Sequence, residues 1–231
     1  ITPTTAGLVT LGVAAGVAQD AASNGNSAAT PFSITYDNST PTVAITSNAV
    51  GNPTNTGFTA TFTFSESVTG FVVGDVSLSN ATISGFAGSG AVYTATITPI
   101  TDGLVTIGVP AGVAQDATSN GNSAATPFSI TYDNSTPTVA ITSNAVGNPT
   151  NTGFTATFTF SESVTGFVLS DISVSNATIS GFAGSGAVYT ATITPITEGL
   201  VTIGVPAGVA QDVASNGNSA ATPFSITYDN S

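Results

Sequence analysis

The 231-residue chain has no lysine, arginine, histidine, cysteine, methionine or tryptophan. Each absence closes off some chemistry. Without cysteine there are no disulfides and no zinc–thiolate sites, so cysteine usage leaves the redox compartment open. Without His, Cys and Lys there is no imidazole acid/base catalysis, no thiol or amine nucleophile and no Ser–His–Asp triad. Without Lys no Lys–Asn isopeptide cross-link can form, and trypsin, which needs Lys or Arg, finds no site; that suits a protein facing extracellular proteases. Twelve Asp and Glu stand against this, for a formal net charge of −12. Ordinary salt bridges between side chains are impossible. Counter-charge has to come from dissolved ions, bound metal or a partner, and salt eases the repulsion by shortening the Debye length. Phosphate backbones and anionic headgroups are repelled, which argues against nucleic-acid binding. The longest apolar run, Leu8 to Ala18, is well short of the roughly 20 residues a membrane span needs, so no direct membrane insertion by this segment is expected.

What is present is repetition. The stretch Ser39 to Asn134, STPTVAITSN…PFSITYDN, recurs from Ser135 to Asn230. The two 96-residue copies differ at seven positions: Val73/Leu169, Gly74/Ser170, Val76/Ile172, Leu78/Val174, Asp102/Glu198, Ala117/Val213 and Thr118/Ala214. Ile1 to Asn38 match the last 38 residues of the unit with a few substitutions, and Ser231 opens another copy. A unit of this size can close its own core, and its repetition points to architecture before chemistry. The expected organisation is residues 1–38 as the C-terminal strands F and G of one repeat, 39–134 as a full repeat, and 135–231 as a full repeat plus the first residue of the next. Two arrangements account for the leading part-unit: a window on a longer chain, or completion by another molecule. By itself it leaves strand edges and an apolar face uncovered.

Within the unit, short period-2 runs of Val, Ile, Thr and Phe alternate with Gly, Asn, Ser and Pro clusters, the pattern of an all-β protein. Strand A is expected at Thr42 to Ser47 with Val43 and Ile45 inward. In strand B, GFTATFTFS, Phe58, Ala60, Phe62 and Phe64 share one face and Thr59, Thr61 and Thr63 the other. Strand C is placed at Val76 to Ser79, D near Ala81 to Phe86, and E at Ala91 to Thr98 with Tyr93, Ala95 and Ile97 inward. F starts at Leu104, burying Val105, Ile107 and Val109, and G is Pro127 to Asp133. Seven strands at this spacing predict tandem immunoglobulin-like β-sandwiches. Pro41 and Pro137 follow the segments that join units, so TYDN-STPT reads as a stiff connector and the array as a rod.

The acids then fall into a pattern. In a seven-strand sandwich the B–C and F–G loops lie at the pole where strand A enters, and the E–F loop at the pole where G leaves. Glu66 and Asp116 therefore lie at the upstream pole of the first full unit beside Asp37 and Asn38. Asp102 lies at its downstream pole beside Asp133 and Asn134, facing Glu162 and Asp212 of the next unit. Asp75, before strand C, is expected to cap a turn. Oxygen ligands gathered without any cation are what Ca²⁺ takes, which makes Asp37, Asn38, Glu66, Asp102, Asp116, Asp133, Asn134, Glu162 and Asp212 candidate ligands for Ca²⁺ at the junctions. The competing reading is that acids collect in loops because strands exclude them and Asn-Gly makes the turn. No EF-hand spacing decides between the two.

Asn38, Asn80, Asn134 and Asn176 begin N-x-S/T triplets, which also arise by chance in a chain this rich in Ser and Thr. Gly85, Gly88 and Gly90 in SGFAGSG read as a D–E turn, since no Lys follows to make a phosphate loop. Paired-carboxylate hydrolysis would need a cleft and an acid of raised pKa. These acids instead recur once per unit at junctions with no aromatic platform, so no enzymatic activity is expected.

The succession TFTFSESVTGF, GDVSLSN, YTATITPITDGLVTIGVPAGVAQD and NGNSAATPFSITYDN resembles the bacterial Ig-like repeats of very large surface adhesins and biofilm-associated proteins, over the whole chain. The resemblance implies an extracellular protein of the bacterial surface whose repeats hold a distal module away from the cell. It also implies Ca²⁺ near linkers through a D-x-x-G-N loop; here that loop, from Asp116 through Asn120 to Asn122, has Ser119 where the pattern has Gly. Two functions are thus expected in contention: a structural spacer in the stalk of an adhesin, and a self-assembling fibre or matrix protein whose units pair between chains. The partners implied are neighbouring copies of the repeat and other chains of the same protein. Ligand binding by the repeats themselves has little support, because exposed loops lack Trp and Arg anchors.

Overall fold

The computed structural model describes all 231 residues. Residues 1–38 form an antiparallel pair, β1 (Gly7–Leu11) and β2 (Phe32–Tyr36), with Val9 opposite Ile34. The first full unit contains β3 (Val43–Ser47), β4 (Phe58–Val68), β5 (Ser77–Ser79), β6 (Ala81–Pro99), β7 (Gly103–Gly108) and β8 (Phe128–Tyr132). The second repeats them as β9 (Val139–Ser143), β10 (Phe154–Val164), β11 (Ser173–Ser175), β12 (Ala177–Pro195), β13 (Gly199–Gly204) and β14 (Phe224–Tyr228). Each unit has two three-stranded sheets, ordered β3-β4-β6 and β5-β7-β8 in the first and β9-β10-β12 and β11-β13-β14 in the second. No helix is long and apolar enough to cross a membrane.

Strict alternation explains the core. Phe58, Ala60, Phe62 and Phe64 on β4 are all buried, Phe62 completely, while Thr63 on the opposite face is exposed. Tyr93, Ala95 and Ile97 of β6 and Val105 and Ile107 of β7 close the other walls. Phe71, in the loop after β4, completes this core: its ring lies 5.2 Å from both Phe64 and Tyr93 and 5.4 Å from Phe86, edge-on to each. Such edge-to-face pairs add to area burial because the ring edge and face carry opposite partial charge. The two units bury separate hydrophobic clusters, around Phe62 and around Phe158, with no residue in common.

Three expectations change in detail. Strands D and E form one extended run, β6, that doubles back on itself: Thr82 Oγ1 donates to Thr98 O at 3.4 Å, and the Phe86 and Tyr93 rings stack at 5.8 Å. Gly88 at the bend has φ +136°, and a Cβ there would run into Val92 O, so the fold-back needs glycine. Next, β4 continues past Ser65 to Val68 through a shift in register, because a bulge lets the strand keep pairing with β6 as far as Gly90. Finally, β5 begins at Ser77, after a single 3-10 turn Val73–Asp75 that Asp75 caps by accepting Val72 N at 2.8 Å.

Candidate functional site at the unit junctions

The connector is anchored from the downstream side. Pro41 and Pro137 are fully buried, and their carbonyls accept Ser123 N and Ser219 N, each at 2.9 Å. The free linker is thereby cut to the few residues between the last acid of one unit and that proline. Asp37 Oδ1 accepts Ser39 N at 2.9 Å and Asp133 Oδ1 accepts Ser135 N at 3.0 Å, the Asx-turn expected of Asp-x-Ser.

The loop between β7 and β8 supplies the other half. Buried Asn122 organises it: its Oδ1 accepts Val113 N and Ala114 N at 3.0 and 2.8 Å, and its Nδ2 donates to Pro110 O and Ser123 O at 2.9 and 2.8 Å. Asp116 accepts Thr118 N, Asn120 N and Asn120 Nδ2, each at 2.8 Å. Ser119, where the adhesin loop pattern has glycine, takes φ +70°, so the loop adopts the left-handed conformation without glycine. The Asn120 amide also reaches back to the connector, donating to Asp37 O at 3.2 Å; its counterpart Asn216 donates to Asp133 O at 2.9 Å.

These elements bring together Asp37, Glu66 and Asp116 at the first junction and Asp133, Glu162 and Asp212 at the second, with one carboxylate oxygen from each residue within 4.8 Å of the others. Two oxygens bound to one Ca²⁺ at about 2.4 Å lie no more than about 4.8 Å apart, so the spacing of each triplet allows it to supply three of the six to eight oxygens such an ion takes. The donor set also suits it, being hard oxygen in a chain with no cationic side chain. Burial pushes the Glu162 carboxyl above its ordinary value, and the nearby charges of Asp212 and Asp133 add to this. Burial also pushes Asp116 up, but hydrogen bonds from Asn120 and Thr118 together outweigh it and leave that carboxyl below the usual range.

The remaining candidates lie elsewhere. Asp102 stands outside the triplets: its Oδ1 accepts Asn134 N at 2.8 Å and its Oδ2 accepts Ser135 Oγ at 2.7 Å. Those two bonds, the hydroxyl's first, lower its pKa. Asn38 and Asn134 are exposed. Of the glycosylation triplets, Asn80 and Asn176 have their amides committed, each Nδ2 donating at 2.7 Å to the carbonyl of Thr101 or Thr197. One junction residue went unnoticed in the sequence: Asn55 Nδ2 donates to Asn216 Oδ1 at 3.1 Å, joining the body of one unit to the body of the next. Its nearest sequence signal is the turn-forming Asn-Pro-Thr-Asn stretch it closes.

Sheets holding strands A, B, D and E on one side and C, F and G on the other define an immunoglobulin-like sandwich, here in tandem. The model of the bacterial Ig-like domain family matches residues 37–132 and 133–228, and the chain belongs to that family. Similar solved structures include the Escherichia coli adhesin FdeC, at 13% identity and TM-score 0.47, covering 99% of this chain and 86% of that one. The Yersinia pseudotuberculosis adhesin InvE matches at 14% identity and TM-score 0.29, with 83% of this chain covering 59% of that one. No curated protein matches the chain.

Proposed function

We propose that these units are spacers in the stalk of a bacterial surface adhesin, holding a distal module away from the cell with no chemistry of their own. The observation that carries this reading is the pairing of two self-closed cores with a connector gripped from both sides, by Pro137 below and Asp102 above. A part that works by length and stiffness tolerates near-identical copies. Deleting one 96-residue unit from the protein displayed on its cell is expected to bring the distal end closer by roughly 35–45 Å, the span of one sandwich along its strands. Unchanged reach, or specific binding of a host ligand by the isolated 231-residue chain, would refute it.

Within this reading each acidic triplet holds one Ca²⁺ that offsets most of the junction's negative charge; Asp133, Glu162 and Asp212 are the ligands at the second. Titrating Ca²⁺ into the chelated protein should release heat and raise the melting temperature, and Asp212→Asn should abolish both at that junction. A flat titration would dispose of the ion. A second reading is assembly between chains, with the edge strands of each unit's three-stranded sheets as the pairing sites. Ordered polymers with intermolecular strand pairing would support it; a monodisperse elongated monomer would not.

A further inference from the structure

The three copies of the connector share one local turn but differ in what reaches it from the loop ahead of strand F. At the second junction Asp102 takes the backbone N–H of Asn134 and the hydroxyl of Ser135 with its two carboxylate oxygens, at 2.8 and 2.7 Å. Asp102 is itself exposed and belongs to neither acidic triplet. The corresponding residue is Ala6 ahead of the first connector and Glu198 ahead of Ser231. Alanine has no acceptor to offer Ser39. Glutamate carries the same carboxylate on a side chain one methylene longer. The Asp-to-Ser turn is thus common to Asp37, Asp133 and Asp229, and at the joint between the two full units Asp102 adds a second clamp that Ala6 cannot make.

We infer that the residue at this loop position, Asp102 in the first full unit, sets how far a unit can swing on the next, so that Ala, Asp and Glu at equivalent places encode joints of different stiffness along one rod. This inference rests on the stalk reading and refines it. Two charge-assisted hydrogen bonds from one short carboxylate hold Asn134 and Ser135 against the upstream unit while buried Pro137 holds them against the downstream one. Removing the carboxylate frees Asn134 and Ser135 from the upstream unit and leaves the Asn55–Asn216 bond as the side-chain tie between the two bodies. Glutamate is one methylene longer, so keeping both bonds would cost it an additional ordered torsion. Asp102 is a positioning residue: it acts on the geometry between units and leaves each core alone.

The absence of cysteine makes the test clean, since spin labels attach only where cysteines are introduced. Thr63→Cys and Thr159→Cys put labels at equivalent exposed sites on the central strands β4 and β10 of the 231-residue chain. Pulsed EPR in chelator then reads the distribution of distances across the junction. Asp102→Ala should widen it about twofold through loss of both charge-assisted bonds, and Asp102→Glu should widen it less. The melting transitions of both units should stay in place, which separates a freed joint from a damaged core. A width unchanged in Asp102→Ala, against a narrow parent, overturns the inference and leaves the stalk intact. A distribution already broad in the parent overturns both.

Discussion

The two junctions have the same connector sequence, TYDN-STPT, and the same acidic triplet, yet one carries a side-chain clamp whose acceptor the other lacks. At the second, Asn216 is buried and receives a hydrogen bond from Asn55 of the unit above, while Asp102 clamps Asn134 and Ser135. At the first, Ala6 stands at the place of Asp102 and offers no acceptor to the connector. Local sequence therefore makes the Asp-to-Ser turn and seats the proline, whereas mating depends on upstream loops far away in the chain. An identical linker does not make an identical joint.

The largest expected effect comes from melting one unit. Phe158→Ala should cost the second unit about 3–5 kcal/mol, because that ring is fully enclosed and leaves a cavity. In calorimetry one transition should drop and take the second junction with it, while the unit around Phe62 keeps its own; a joint drop of both would show that the cores are coupled. Asn218→Ala should cost about 2–4 kcal/mol in the same transition, since the buried amide satisfies four backbone groups of the loop that carries Asp212 and Asn216.

A smaller effect separates the junctions by pH. The Glu162 carboxyl is raised above its unfolded value near 4.5, by burial first and then by Asp212 and Asp133. Its contribution is thus fully present below that value and is lost as pH rises through the raised one, leaving an unfavourable charge at neutrality. In chelator, Glu162→Gln should raise the second transition at pH 7 and leave it unmoved well below pH 4; with Ca²⁺ the parent should recover the advantage. Asp116 and Asp102 act in the opposite sense, since their lowered values hold stability above the ordinary carboxylate range and release it as pH falls through them. The least effect is expected from Asn55→Ala, about 0.5–1 kcal/mol for one neutral bond, read as slightly faster amide exchange around Asn216.

Much of this fold was legible because alternation is a local signal. GFTATFTFS sorts its own faces, and Phe58, Ala60, Phe62 and Phe64 are buried as the period requires. Chain order in a sandwich was enough to bring Asp37, Glu66 and Asp116 to one pole. The features that escaped are those in which a side chain bridges loops. Phe71 has no periodic neighbours, so its place among Phe64, Phe86 and Tyr93 comes from the turn that follows β4. Asp102 shares a pole with the junction acids, but its two carboxylate oxygens are taken up by the Asn134 N–H and the Ser135 hydroxyl, a pairing no local pattern announces. The doubling of β6 was half visible: its glycines marked a bend, and only the pairing across it shows that the extended run continues on both sides.

The claim on which the account turns is that each 96-residue block is a separate body held at a fixed interval from the next. Small-angle X-ray scattering from the 231-residue chain reads that directly. A distance distribution with a second maximum at roughly 35–45 Å, one sandwich length, is the expected result. A single maximum from one compact particle, with no recurrence at that spacing, would contradict it.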